Sequence, residues 1–61
     1  MLNDVVSWYE SQSNMALRLG VSPAAVSQWM RDGFLPPARA LQVEQQSEGK
    51  FKAIDLVQIN N

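Results

Sequence analysis

The sequence has 61 residues, 46% of them hydrophobic, which is enough for one small core, so we expect a single domain over residues 1–61. It contains no cysteine and no histidine and its acidic residues are scattered, so we expect no disulfide, no metal, no cofactor, no enzyme activity and no small-molecule substrate. The formal net charge is −1, the N-terminus is acidic and no apolar run is long enough to span a bilayer, so we expect no membrane association and a cytoplasmic location.

The first predicted element is a short helix over residues 2–9. Three apolar residues at helical spacing are expected to face the core: Val5, Val6 and Tyr9. Trp8 lies off this stripe, and we expect a partly buried packing residue, with a partner-facing role as the alternative. Ser11 follows the end of this helix, and its hydroxyl can cap the next one.

Two more short helices are predicted between residues 12 and 31. The apolar stripe of the first consists of Met15, Ala16 and Leu19. Gly20 can adopt the left-handed conformation that ends a helix. Ser22 then offers a hydroxyl as N-cap, and Pro23 suits the first position of a helix because its missing N–H is harmless there.

The second of these helices, over residues 23–31, has two different faces. Its apolar face consists of Ala25, Val26, Trp29 and Met30. Its opposite face is flat and polar and consists of Ala24, Ser27, Gln28 and Arg31. Two helices joined by a glycine turn are typical of a helix-turn-helix, whose second helix enters the major groove of DNA. An ordinary helical hairpin within another small domain is the alternative.

The spacing of five residues in this pair resembles the helix-turn-helix of phage Cro and repressor proteins: Gln12, Ala16, Gly20, Val26 and Trp29. The run AAVSQW looks like Cro in particular. The resemblance implies a mainly α domain of about five short helices that represses transcription by occupying operator DNA. It also implies two copies on a pseudo-palindromic site, as a weak homodimer or a dimer formed on DNA, in the cytoplasm of a bacterial host and on its nucleoid when bound.

Base contacts are expected from the polar face of the recognition helix. Gln28 is the best candidate, because a carboxamide can bridge N6 and N7 of adenine. Ser27 can donate or accept a hydrogen bond, and Ala24 can touch a thymine methyl. Ser22 can cap the helix, contact a DNA base or do both. Arg31 suits a phosphate contact, with a bidentate guanine contact as the other possibility.

Phosphate contacts are expected at the start of the preceding helix. In the resembling family a glutamine at the position of Gln12 binds a phosphate and supports the recognition helix. Ser13 and Asn14 can add to this, because a helix N-terminus offers free N–H groups to an anion, although all three can also be merely solvated. Arg39 can reach the backbone or remain solvated. The low charge is the main difficulty, and we expect the five cations to gather on the DNA side.

A fourth helix is predicted from Ala38 to Ser47, with Pro37 able to start it. The stretch DGFLPPAR before and into it resembles the connection in all-helical Cro proteins. The apolar side of this helix is predicted to consist of Ala40, Leu41 and Val43.

The segment after Gly49 fits a strand or a helix by periodicity, and we favour a helix because no second strand-like run is present. Its apolar residues from Phe51 to Ile59 exceed what one small core absorbs. We therefore expect part of this tail to form a homodimer contact, with packing on its own subunit as the alternative. The candidate contact residues are Phe51, Ile54, Leu56 and Val57.

A second class of function remains open, namely a protein-binding module of the antitoxin or anti-regulator kind built on the same helices. The acidic isoelectric point of about 5.0 favours it somewhat. Salt separates the two, because operator binding weakens steeply with ionic strength and an apolar protein contact does not.

Overall fold

Five short helices form the fold over residues 1–58, the part of the chain that the computed structural model describes. They are α1 (Leu2–Trp8), α2 (Gln12–Leu19), α3 (Pro23–Asp32), α4 (Pro37–Gln46) and α5 (Ala53–Leu56). No strand occurs among these residues, so the mainly α prediction is confirmed and the helical interpretation of the tail is the one observed. No helix in this part of the chain is long and apolar enough to cross a bilayer.

The core lies where α2 packs against α3 and where α4 packs against α2 and α5. It combines residues from all five helices with Leu35 and Phe51 from the connections. The buried apolar residues are Val5, Tyr9, Met15, Ala16, Leu19, Val26, Trp29, Leu35, Ala40, Val43, Phe51 and Leu56. The stripes predicted for α2 and α3 are therefore confirmed, with Ala25 and Met30 half-buried against the same core.

The first helix ends one residue earlier than predicted, at Trp8, and Tyr9 is its C-cap. Tyr9 is still buried, while Trp8 is 37% exposed and meets the Tyr9 ring edge-on, with ring centroids 4.9 Å apart. Trp8 is thus the partly buried packing residue that we expected. The predicted cap of α2 is also confirmed, because Ser11 Oγ accepts a hydrogen bond from the Asn14 N–H at 3.0 Å.

The fourth helix begins at Pro37, and one residue of its predicted apolar side is wrong. Ala40 and Val43 are buried, but Leu41 is 54% exposed. Adjacent residues on a helix point about 100° apart, so a helix that buries Ala40 and Val43 turns Leu41 toward solvent. The buried stripe continues instead through Ser47, just past the end of the helix.

The tail packs on its own subunit more completely than predicted. Phe51 is 8% exposed and Leu56 is 1% exposed, so their assignment to a contact between copies is wrong. Both side chains are used to close the small core over α4. Ile54 is 67% exposed and Val57 is half-buried, so these two remain open to a second copy. Ile59, included in the predicted apolar tail, lies outside the described residues.

Hydrogen bonds from distant residues hold this tail in place. The Glu44 carboxylate accepts from the Ala53 N–H at 2.7 Å, which caps the start of the single-turn helix α5. The N–H of Leu35 donates to the carbonyl of Leu56 at 2.7 Å and ties the far end of α5 to the α3–α4 connection. Ser47 Oγ accepts from the Phe51 N–H at 3.2 Å. The tail is therefore fixed mainly by nonlocal contacts.

Candidate DNA-binding surface

The angle between α2 and α3 is set by a three-residue turn. Gly20 has φ +75°, in the left-handed region that favours glycine, and the N–H of Val21 returns to the carbonyl of Ala16 at 3.0 Å. Ser22 Oγ then accepts from the Ala25 N–H at 3.2 Å, and Pro23 occupies the first position of α3. The turn that the sequence predicted is confirmed at each of these positions.

The two faces of α3 point in the predicted directions. Val26 and Trp29 are buried in the core. Ala24, Gln28 and Arg31 are exposed, and no part of residues 1–58 covers them. This exposed side, together with half-buried Ser27 and exposed Asp32, is called the α3 outer face below. It is free to meet a large partner.

A hydrogen bond joins the start of α2 to the α3 outer face. Ser27 Oγ donates to Gln12 Oε1 at 2.8 Å, so Gln12 at the start of α2 is bonded directly to α3. The bond uses the hydroxyl proton of Ser27, which leaves this hydroxyl able to accept but not to donate. Within residues 1–58 the side-chain N–H groups of Gln12 make no hydrogen bond.

Gln28 belongs to a short polar chain along α3. Its Nε2 donates to Asp32 Oδ1 at 2.9 Å, and its Oε1 accepts from Arg31 Nη2 at 2.8 Å. Asp32 was not among the predicted site residues. Its spacing of four from Gln28 is the signal that identifies it, because residues four apart are neighbours on a helix surface.

The start of α2 offers fewer anion donors than the sequence suggested. The backbone N–H of Asn14 is bound by Ser11, and its side-chain amide donates to the carbonyl of Tyr9 at 2.7 Å. Asn14 therefore has a structural role in joining α1 to α2. Within the described residues, the backbone N–H groups of Gln12 and Ser13 make no hydrogen bond, and Ser13 is exposed.

Side chains of α4 complete the end of α2. The last carbonyls of a helix lack intrahelical partners, and here Arg39 Nη1 and Gln42 Nε2 donate to the carbonyl of Leu19 at 3.1 and 3.3 Å. Gln46 Nε2 donates to the carbonyl of Arg18 at 2.9 Å. Arg39, predicted to bind phosphate, thus acts first as a helix cap. Sequence spacing carries no signal for such long-range bonds.

Tyr9 links α1 to this same group of contacts. Its hydroxyl donates to Gln46 Oε1 at 2.6 Å, and the Arg18 guanidinium lies over its ring, 5.8 Å from the centroid. Burial raises the pKa of Tyr9 above its ordinary value, and the charge of Arg18 opposes part of that rise.

Three of the five cations contact other parts of the chain. Arg31 is the single cation of α3, and Arg39 is occupied at the end of α2. Arg18 lies over the Tyr9 ring and Lys50 over the Phe51 ring, at 5.8 and 5.9 Å. The α3 outer face therefore presents mainly polar, uncharged groups with one arginine and one carboxylate.

A glycine turn of this kind, a capped second helix and an uncovered polar face on that helix define a helix-turn-helix DNA-binding domain. The family model described as DNA-binding transcriptional regulator Cro matches residues 2–59. The chain belongs to this family, which is a family of DNA-binding transcriptional regulators and not of enzymes. No curated protein matches the chain, and no solved structure matches it either.

Proposed function

We propose that this chain is a repressor that binds operator DNA through the α3 outer face and blocks transcription by occupying the site. The observation that carries the proposal is the exposure of Ala24, Gln28 and Arg31 on a helix whose other side is fixed in the core. A rigid helix with an uncovered polar face fits the major groove. Binding of this kind takes place in the cytoplasm of the host cell, on its nucleoid.

The proposed contacts are of two kinds. Gln28 and Arg31 read base edges, with Ala24 against a thymine methyl, Ser27 as an acceptor and Ser22 beside its capping role. The N-terminus of α2 holds a phosphate through Gln12 and Ser13, whose backbone N–H groups have no other partner within the described residues. Asn14 and Arg39 can add a phosphate contact only with the donors that their structural bonds leave over.

We further propose that two copies bind together, because one outer face with a single arginine offers little charge for phosphate neutralisation. Ile54 is the proposed centre of the contact, with Val57 beside it in sequence, since Ile54 is exposed although large and apolar. Ile54→Gln is expected to weaken assembly on a palindromic duplex but not binding to a half-site, by analytical ultracentrifugation. Leu17→Gln, at 77% exposure on α2, is the matched control.

A footprint on the DNA flanking the chain's own gene tests the main proposal, because it reports the site, its symmetry and its spacing together. On the site so found, Gln28→Ala is expected to weaken binding by about 1–3 kcal/mol and to change binding to random DNA little. Gln45→Ala, an exposed glutamine on α4, is the matched control and should bind as the parent does. Equal losses on both kinds of DNA would contradict base reading by Gln28.

Salt dependence separates this proposal from the protein-binding alternative, which the net charge of −1 and the exposed Leu17, Leu41 and Ile54 favour. For DNA, log K should fall linearly with log salt, with a slope of about 0.9 for each phosphate engaged. Arg31→Ala lowers that slope by about 1 if Arg31 binds phosphate, and relaxes one base preference instead if it binds guanine. No measurable duplex binding in dilute buffer would reject the DNA proposal.

A further inference from the structure

We propose that Asp32 is a positioning residue for base recognition, which acts by holding the Gln28 carboxamide in one orientation. This inference rests on the proposed function, because it concerns the side of α3 proposed to face DNA. Asp32 lies four residues after Gln28 and eight after Ala24, so the three share one line along the helix. The carboxylate is therefore on the α3 outer face itself.

The chemistry of the two neighbours allows only one orientation of the amide. An ionised carboxylate can only accept hydrogen bonds, and a guanidinium can only donate them. Gln28 must therefore present Nε2 to Asp32 and Oε1 to Arg31, as the distances of 2.9 and 2.8 Å indicate. A rotated amide would lose both bonds and face each neighbour with the wrong group.

The held amide keeps the groups that recognition needs. A carboxamide has two N–H donors and two acceptor lone pairs, and the two neighbours use one of each. One N–H and one lone pair remain, which are the pair that a bidentate contact to N7 and N6 of adenine requires. Because both intrahelical bonds involve a charged group, they are stronger than bonds between neutral groups and favour this orientation of the exposed amide before DNA arrives.

The helix dipole does not explain this carboxylate. Asp32 is the last residue of α3, and a negative charge at a helix C-terminus is disfavoured by the helix dipole. It also repels DNA phosphates in a chain that has only five cations. Orientation of Gln28 gives such a residue a use that outweighs both disadvantages.

The test is selection of bound duplexes from a randomised library, followed by sequencing, for the full chain and its variants. Gln28→Ala identifies the base position that Gln28 reads, as the position where the adenine preference disappears. At that position Asp32→Asn is expected to lower adenine enrichment by about three- to tenfold, since an asparagine side chain can offer Gln28 either a donor or an acceptor and leaves Arg31 as the one neighbour that selects its orientation. Preferences at the other positions should stay unchanged.

Two controls separate orientation from charge. Asp32→Glu keeps an acceptor-only carboxylate and is expected to retain the adenine preference. Glu48→Gln removes one negative charge at an exposed position outside α3 and should retain it as well. Thermal melting checks folding, and Asp32→Asn should change the melting temperature little, because relief of the charge at the helix end offsets the weakened bond to Gln28.

The outcomes are distinguishable. Adenine enrichment in Asp32→Asn equal to that in Glu48→Gln overturns the positioning role and leaves the repressor proposal standing. A Gln28→Ala variant that keeps every base preference overturns it too. Failure of the unaltered chain to enrich any sequence rejects the proposed function and this inference together.

Discussion

The helix pair α2–α3 and the tail from Phe51 to Gln58 are stabilised in different ways. Each helix of the pair begins with a serine cap only three residues from the N–H it binds, and each ends at a glycine with positive φ. The single turn α5 has no such local cap, and Glu44, nine residues earlier, supplies the acceptor. Local sequence therefore sets where the helices of the pair begin and end, whereas contacts from the rest of the fold set the tail.

This difference matters for function, because the pair carries the DNA-binding surface and the tail closes the core behind it. Phe51 and Leu56 are buried in the chain's own core, whereas Ile54 between them is exposed.

The largest effect is expected from Leu56→Ala. Leu56 is 1% exposed, and removal of a buried leucine side chain costs about 2–5 kcal/mol. Because a domain of this size has about 3–5 kcal/mol of stability in total, the variant should be largely unfolded at room temperature by circular dichroism. Ile54→Ala, two residues away and 67% exposed, should unfold as the parent does. Equal loss in both would contradict the division of the tail into core and surface residues.

A smaller effect is expected from removal of the long-range cap of α5. Glu44→Ala deletes the acceptor of the Ala53 N–H and should lower the free energy of unfolding by about 1.5 kcal/mol in urea titrations. Glu44→Gln keeps an acceptor oxygen without the charge, so it should lose less. A Glu44→Ala variant as stable as the parent would indicate that water replaces this cap without cost.

The local cap of the recognition helix should matter slightly less. Ser22→Ala removes the acceptor of the Ala25 N–H and is expected to cost about 1 kcal/mol of unfolding free energy. Ser22→Gly is the control, because glycine at an N-cap position costs only a few tenths of a kcal/mol. If chemical denaturation shows Ser22→Ala to be less stable than Ser22→Gly, capping is the main role of Ser22. Equal losses of unfolding free energy in the two variants would point to other contacts of the side chain.

The smallest effect near neutral pH is expected at Tyr9, whose hydroxyl joins α1 to α4. Burial raises its pKa above the ordinary 10.0 in the folded chain. Below pH 10 the Tyr9 hydroxyl keeps its proton in both the folded and the unfolded chain. Above pH 10 the unfolded chain releases this proton first, so the free energy of unfolding falls as the pH rises through the folded pKa. Tyr9→Phe should lose the hydrogen bond to Gln46 but show a shallower alkaline decline in melting temperature. An equal alkaline decline in melting temperature for Tyr9→Phe and the parent would exclude a contribution from ionisation of Tyr9.

Much of the helix pair could be predicted because its signals are local. Ser11, Gly20, Ser22 and Gly33 act within a few residues of themselves, and a helix-period pattern is enough to orient Val26 and Trp29. Local signals place helix ends less accurately, since α3 extends to Asp32, one residue past its predicted end. These local patterns predict which face of α3 is buried and which is exposed.

The remainder depends on contacts between residues far apart in sequence. Leu41 was assigned to the core by its apolar side chain, and only the packing of α4 decides between it and Val43. Arg39 was treated as a free cation, although its guanidinium is 3.1 Å from a carbonyl twenty residues earlier. Asp32 is the exception, since its spacing of four residues from Gln28 is a local signal for the bond between them.

The side chains of α4 that cap α2 make the α2–α3 pair dependent on the rest of the domain. The carbonyls of Arg18 and Leu19, just before the turn, are bound by Gln46, Gln42 and Arg39. A graft of residues 12–33 onto an unrelated scaffold would lose these donors and loosen the bend that aims α3. The α2–α3 pair is therefore not expected to keep the orientation of α3 on another scaffold unless α4 is transferred with it.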